Sequence, residues 1–374
     1  MPDTVYIIGA GASYGESLVQ LPNLPDGHPV LHIHQPPLTN GFFARELLDA
    51  IAYNQAEQDF PEVIQYIRRT RLVEDRFGEG KWQTINLEEV FTALEVEREF
   101  QNPESDLGAH LLLVRNKLVR YIRRIIGFCT QGTSGEHYKT LGETIKPNDS
   151  VITFNWDLLL DQEFLEPRTD VLINQYSTFF RTVQAPEALR CRFGPGEGLY
   201  LKLHGSLNWF RCGNGKCKSN QEITFVYQTQ SCLSLAEGIA EILCYKCGSE
   251  MNPIIVPPLL RKPIVEDAAI RSAWGLAQMK LNSASRVVAI GFSAAPTDFY
   301  TSWLLRSTVG TREDVEVIVI NPSNRGNSSD HEEFKKRMNS IFLRNYNSEF
   351  HEFAQIGSVL GNPDGRAAGD GGLP

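Results

Sequence analysis

Five short apolar runs, each closing on a small or polar residue, constrain this chain more than any other feature. Val5-Tyr6-Ile7-Ile8 closes on Gly9, and Ser150 to Phe154 closes on Asn155. Leu199 to Leu203 closes on His204, Arg286 to Ile290 on Gly291, and Val315 to Ile320 on Asn321. Runs of this length bounded by turn residues read as buried strands. Trp156 to Phe164 and Asp298 to Ser307 read as helices between them. Strands alternating with helices predict an α/β fold with a parallel, doubly wound, Rossmann-like sheet. In such sheets the chemistry sits beyond the carboxyl ends of the strands, where Gly9, Asn155, His204, Gly291 and Asn321 stand.

The alternation is interrupted twice. Residues 16–40 hold Pro22, Pro25, Pro29, Pro36 and Pro37 and read as an ordered loop. From Phe42 to about Lys146 the period becomes helical, as in Leu87-x-x-Val90-Phe91-x-x-Leu94. The chain of 374 residues therefore divides into three parts and a tail. A Rossmann-like domain takes residues 1–41, 147–211 and 249–360. A helical insertion takes 42–146, and a small zinc-ribbon module takes 212–248. Residues 361–374, rich in glycine and poor in apolar residues, read as a disordered tail.

Charge and hydropathy exclude several functions. A net charge of −9 argues against general affinity for nucleic acid or an anionic membrane. No apolar run reaches the ~18 residues of a spanning helix. Met1-Pro2-Asp3-Thr4 lacks the basic region of a signal peptide. Together with the cysteine pattern below, this predicts a cytoplasmic protein.

Gly9-Ala10-Gly11-Ala12-Ser13 after the first strand has the form of a diphosphate cradle, since glycines let backbone approach an anion at a helix N-terminus. The third glycine of the common dinucleotide pattern is missing: position 14 is Tyr14. No acidic residue follows about 20 residues later. A tight structural turn is the competing reading. Asn155 and Asp157 stand at a strand end, where either could face a ligand or cap the next helix. His204, followed by Gly205, is placed as an exposed acid/base would need, although a lone histidine is often structural.

Cys212-x4-Cys217 and Cys244-x2-Cys247 offer four thiolates from two knuckles with Gly213, Gly215 and Gly248 in the turns. That pattern fits a closed, structural zinc site, with a metal-free ribbon as the alternative. Cys129, Cys191 and Cys232 read as ordinary buried thiols. Residues 111–126 carry more apolar residues than one buried stripe needs, with five basic ones. They read as an internal helix with a solvated basic face, or as an interface helix.

Taken in order, the glycine loop, Thr153-Phe154-Asn155-Trp156-Asp157, His204-Gly205, the cysteine pairs, Gly291-Phe292-Ser293 and Asn321 resemble the sirtuin (Sir2-like) family of NAD-consuming enzymes. The resemblance implies NAD as substrate, with its pyrophosphate on Gly9, Ala10, Gly11, Ala12 and Ser13. Asn155 and Asp157 would face the nicotinamide ribose, with His204 as the base. Gly291, Ser293 and Asn321 would hold the adenosine half.

There are departures from the family. The sirtuin segment Gly-Ile-Pro-Asp-Phe-Arg has no counterpart after Ser13. Deacetylases carry a peptide-pairing strand where this chain has Pro253-Ile254-Ile255-Val256-Pro257-Pro258, and proline lacks the N–H such pairing uses. The first cysteine pair is spaced by four residues rather than two. These features, with the helical insertion, look like the bacterial defence branch of Sir2-like proteins, which hydrolyse NAD. The implied function is NAD glycohydrolase, with an NAD-dependent lysine deacetylase or a non-catalytic NAD sensor as alternatives. A homo-oligomer and a separately encoded ATPase or nuclease-like partner are implied by the same resemblance.

Overall fold

Alternate residues of the first strand, β1 (Thr4–Ile8), face opposite sides, as a period of two requires. Val5 and Ile7 pack into one core cluster, and Tyr6 and Ile8 into another. A strand buried on both faces belongs in the middle of a covered parallel sheet. The computed structural model places it there. It describes residues 3–16, 36–44, 61–70, 82, 84–130, 135–161, 179–183, 196–227, 243–257, 267–321 and 328–343. Cys191, Cys232, the first three prolines of the 16–40 loop and the 361–374 tail lie outside the described residues.

Along the chain follow α1 (Ala10–Glu16), α2 (Pro61–Arg69), α3 (Leu87–Glu99), α4 (Asp106–Cys129) and α5 (Glu136–Thr144). Next come β2 (Ser150–Thr153), β3 (Phe179–Val183), β4 (Tyr200–Lys202), β5 (Gly205–Cys212), β6 (Ile223–Tyr227) and β7 (Met251–Ile255). The chain continues through α6 (Ala268–Ser283), β8 (Arg286–Ile290), α7 (Phe299–Leu305), β9 (Glu316–Ile320) and α8 (Ser328–Phe342).

The five expected strands form one sheet in the order β4-β2-β1-β8-β9, parallel throughout. The chain builds outward from β1 through β2 to β4, then restarts on the other side with β8. The point where the order reverses therefore lies between β1 and β8, the usual crevice of an open α/β sheet. Helices α6 and α8 cover one face through Ala273, Trp274, Leu281, Met338 and Phe342. Tyr138 and Leu141 of α5 pack on the other face with Tyr6, Ile8 and Ala12.

A second sheet, not anticipated from the sequence, has the antiparallel order β3-β6-β5-β7. It extends from the His204-Gly205 step to the cysteine cluster. Helices α2, α3 and α4 form a third layer around Phe43, Phe91, Leu94, Leu118 and Tyr121, joined by Leu207 and Ile255 of the second sheet. Helix α4 buries Leu111, Val114, Leu118, Tyr121, Ile122 and Ile125 as one stripe, while Leu112 and Leu113 lie exposed outside it. Four of its five basic residues are engaged within the chain rather than forming a solvated face. Arg115 meets Glu95, Lys117 meets Glu62, and Arg120 meets Glu250. Arg123 donates to the Leu207 carbonyl at 3.0 Å and lies over the Phe210 ring. Burial lowers its guanidinium to about 10.

The helix expected from Trp156 does not form over 156–160, which is a chain of bends and turns. The backbone groups a helix would use are taken elsewhere. The Trp156 carbonyl accepts from Leu207 N at 2.9 Å, and the Asp157 carbonyl accepts from Lys202 Nζ at 2.6 Å. Asp157 Oδ1 accepts from Leu159 N, a local turn that competes with helix. The Asp298 helix is present as α7, with Asp298 as its N-cap and a π-turn from Arg306 to Gly310 closing it.

Candidate active site and metal centre

Gly9, Gly11 and Gly291 meet where the two halves of the sheet cross. Gly9 N donates to Ile290 O, Gly11 N to Gly291 O, and Gly291 N to Ile320 O, at 2.9–3.0 Å. A Cβ on Gly9 would stand 2.5 Å from Gly291 O. Gly291 has φ +58, and a Cβ there would overlap Ala12 N. The glycines are thus required by a backbone crossing, because only glycine allows this approach. The amides of Gly9 and Gly11 are both engaged in that crossing.

The crossing floors a half-open cleft of about 150 Å³. Of the residues expected from the sequence, Gly9, Ala10, Ser13, Asn155, Asp157, His204 and Ser293 line it. Gly11, Ala12, Gly291 and Asn321 do not. Ala12 is core beside Tyr138, and Asn321 directly follows Ile320, whose carbonyl accepts from Gly291 N. Pro37, Leu38, Phe42, Leu87 and Ile126 supply an apolar roof from the helical layer and the segment before it.

Asn155 is buried beneath the loop. Its Nδ2 donates to Gly9 O at 3.0 Å and to Ser13 Oγ at 2.9 Å. A carbonyl oxygen can only accept, so this pairing fixes which end of the amide is nitrogen. Oδ1 is left buried without a protein partner, as is Trp156 Nε1 in the same wall. Ser13 Oγ also bonds Tyr138 OH at 2.8 Å. Its hydroxyl therefore holds Asn155 in place.

Asp157 is buried, and that burial raises its carboxyl above its ordinary 3.8 against the opposing pull of Lys202. Lys202 and Asp161, four residues after Asp157, form a buried ion pair at 2.7 Å that Tyr200 OH joins at 2.8 Å. This pair pins the 157–161 turn under the site, and nothing in the sequence reading points to it beyond a lone lysine in an apolar strand.

His204 sits between the Phe154 and Trp274 rings, with ring centroids 5.1 and 6.4 Å away. Trp274 Nε1 donates to the Leu203 carbonyl beside it. His204 Nε2 lies 3.1 Å from Asp298 Oδ2. The sequence marks Asp298 only as a helix start, and it gives no sign of Glu88 of α3, which bonds Thr297 Oγ1. Glu88, Asp157 and Asp298 bring three carboxyl groups to the lining, while no lysine or arginine lines it among the described residues. Such a cleft favours a reaction that develops positive charge.

The four expected cysteines converge. Their sulfurs lie within 4.8 Å of one another, with Cys212–Cys247 at 3.5 Å and Cys217–Cys244 at 4.0 Å. A tetrahedron with ~2.3 Å zinc–sulfur bonds has S···S edges of about 3.8 Å. Both separations are too long for a disulfide. The set therefore fits a closed tetrahedral zinc site with no open position. Hydrogen bonds from Ser249 hold the Cys247 thiol at about 6, and burial pushes Cys212 up to about 12. Cys129 is buried in the helical core, its thiol pushed up to about 12 by burial.

The described residues thus define a doubly wound parallel α/β protein with a largely apolar cleft, carrying a few polar groups, at its topological switch point, and a four-thiol cluster that fits a zinc ion. No family model matches the chain. No curated protein matches it either. Among solved structures it is similar to a Sir2 homologue in complex with NAD, at 15% identity and a TM-score of 0.43, covering 96% of this chain and 86% of that one. A Sir2 homologue mutant with 2′-O-acetyl ADP-ribose gives 15% identity, a TM-score of 0.40 and coverages of 96% and 88%. A sirtuin structure concerned with substrate affinity gives 14%, 0.34, 90% and 93%. The fold assignment rests on this chain's own strand order and register. No helix among the described residues is long and apolar enough to cross a membrane.

Proposed function

We propose that this chain is a Sir2-like NAD+ glycohydrolase, cleaving NAD+ to nicotinamide and ADP-ribose. The observation that carries the reading is the pairing of Asn155 and His204 in one cleft at two neighbouring strand ends, with Asn155 Oδ1 buried and unpartnered. In the reaction the bond between ribose C1′ and nicotinamide nitrogen breaks, and its electron pair leaves with neutral nicotinamide. Little leaving-group protonation is needed. Asn155 Oδ1 accepts from a ribose hydroxyl or the attacking water. His204 takes the proton that water loses, and the carboxylates of the lining oppose the charge developing at C1′. Ala10 and Ser13 hold the pyrophosphate side, and Ser293 the adenosine side, with Asn321 just beyond the end of the adjoining strand β9.

Strand β7 bears on the deacetylase alternative. It is an edge strand of the second sheet among the described residues, where a substrate peptide would add. Pro253 removes one of its donors, and α4 packs against it through Ile255. Both features favour water over an acyl-peptide as the nucleophile.

The test is nicotinamide release from NAD+ by purified protein with no other substrate. Release that requires an acylated peptide assigns the deacetylase instead. Binding without turnover assigns the sensor. We extend the proposal to a cytoplasmic role in bacterial antiviral defence by NAD depletion, as a homo-oligomer engaging a separately encoded ATPase or nuclease-like partner. A strict monomer by light scattering, fully active alone, opposes that extension.

A further inference from the structure

We propose that Asp298 is the positioning residue for His204, fixing which ring nitrogen carries the proton. The inference rests on the hydrolase reading only for its kinetic arm.

Asp298 is held from several directions. Its Oδ1 accepts from Thr301 N at 3.0 Å, and its Oδ2 accepts from Thr301 Oγ1 at 2.7 Å. Its own N–H donates to Ala295 O at 3.0 Å. The carboxylate is therefore locked by the cap of α7 with Oδ2 presented to His204 Nε2 at 3.1 Å. Both side chains are under a tenth exposed, so solvent screens the pair little. The segment carrying Asp298 begins at Gly291 and contains Ala294 at φ +51. A buried non-glycine residue there is held by its surroundings at a cost of about 1 kcal/mol.

A locked carboxylate accepts, so neutral His204 must carry its proton on Nε2. Nδ1 is then the nitrogen with the lone pair, and it receives the proton from water as C1′–O forms. The ring becomes an imidazolium beside the Asp298 carboxylate, which stabilises it without taking the proton. No other oxidant, reductant or group enters this step.

Asp298→Asn separates positioning from folding. Asparagine caps helices as well as aspartate. Thr301 N is a donor, so the amide oxygen must take the Oδ1 place and the amide nitrogen the Oδ2 place. The group facing Nε2 becomes a donor, which moves the ring proton to Nδ1. In hydrolytic triads the same exchange costs about 10⁴-fold by trapping the wrong tautomer.

The experiment is ¹⁵N NMR of the histidine ring nitrogens, with His204 assigned from the His204→Ala spectrum, alongside kcat and KM for NAD+. The expected result is an Nε2–H ring in the natural protein and an Nδ1–H ring in Asp298→Asn. Melting should shift by no more than a few degrees, and kcat should fall at least ~10²-fold with KM nearly unchanged. An Nδ1–H ring in the natural protein overturns the proposal, even where the variant does not fold. A tautomer unchanged in folded Asp298→Asn also overturns it. Tautomer reversal in a protein that releases no nicotinamide upholds the positioning and removes only the hydrolase reading.

Discussion

The side-chain amide of Asn155 donates across 3.0 Å to the carbonyl oxygen of Gly9, tying the end of β2 to the glycine loop after β1. Asn155→Ala removes this tie and the one to Ser13. The loss of a buried hydrogen-bonded group should cost about 1–3 kcal/mol of stability. Nicotinamide release should fall at least ~10²-fold if Oδ1 orients the ribose or the water. The two effects are read separately by thermal melting and by single-turnover assay at a temperature where the variant is folded. Natural rates from a folded Asn155→Ala protein would remove Asn155 from the mechanism.

Gly291 tests the backbone crossing. Gly291→Ala forces a side chain into φ +58 and against Ala12 N, and should cost about 3 kcal/mol or more. A Cβ added at Gly215 would meet nothing within 4 Å, so Gly215→Ala should leave melting unchanged within about 0.5 kcal/mol. Denaturant midpoints of the two variants check the contrast. Equal midpoints would show that the crossing is looser than described.

Asp157 and Asp161 should respond oppositely to neutralisation. Burial raises the Asp157 carboxyl above 3.8 in the folded chain, so folding takes up a proton there. Stability from this group is greatest at low pH and falls as pH rises from about 3.8 through its higher folded value. Asp157→Asn keeps the acceptor for Leu159 N and removes that loss, so melting at neutral pH should hold or rise. Asp161→Asn strips Lys202 of its buried partner and should cost about 3 kcal/mol. Melting curves between pH 4 and pH 8, as chosen conditions, distinguish the two.

The cysteine cluster should hold one zinc per chain by elemental analysis. Replacing Cys217 or Cys244 with serine, or stripping the metal with a chelator, should lower the melting temperature. Nicotinamide release should persist in whatever protein stays folded, because a closed site has no position for substrate. A chelator that abolishes turnover without changing melting would assign the metal to chemistry instead.

The parallel sheet, the residues at its strand ends and the convergence of the four cysteines were legible in the sequence. Each is announced locally: apolar runs of strand length, a turn residue after each run, and short thiol spacings are properties of neighbouring positions. That the strands carrying Asn155 and His204 lie side by side was decided by the tertiary structure, since alternation of elements predicts parallel strands but not their order. What only the tertiary structure decided concerns partners far apart in the chain. The pairing of His204 with Asp298, the reach of Glu88 from the helical layer and the Lys202–Asp161 ion pair join residues whose local patterns say nothing of one another. The lack of helix over 156–160 has the same cause, because Leu207 N and Lys202 Nζ take the Trp156 and Asp157 carbonyls from distant strands. Gly11 and Gly291 read locally as ligand contacts and are also a packing requirement, since the space a Cβ would occupy is filled by backbone some 280 residues away. Local propensity sets which elements form, and long-range burial decides where each polar group finds its partner.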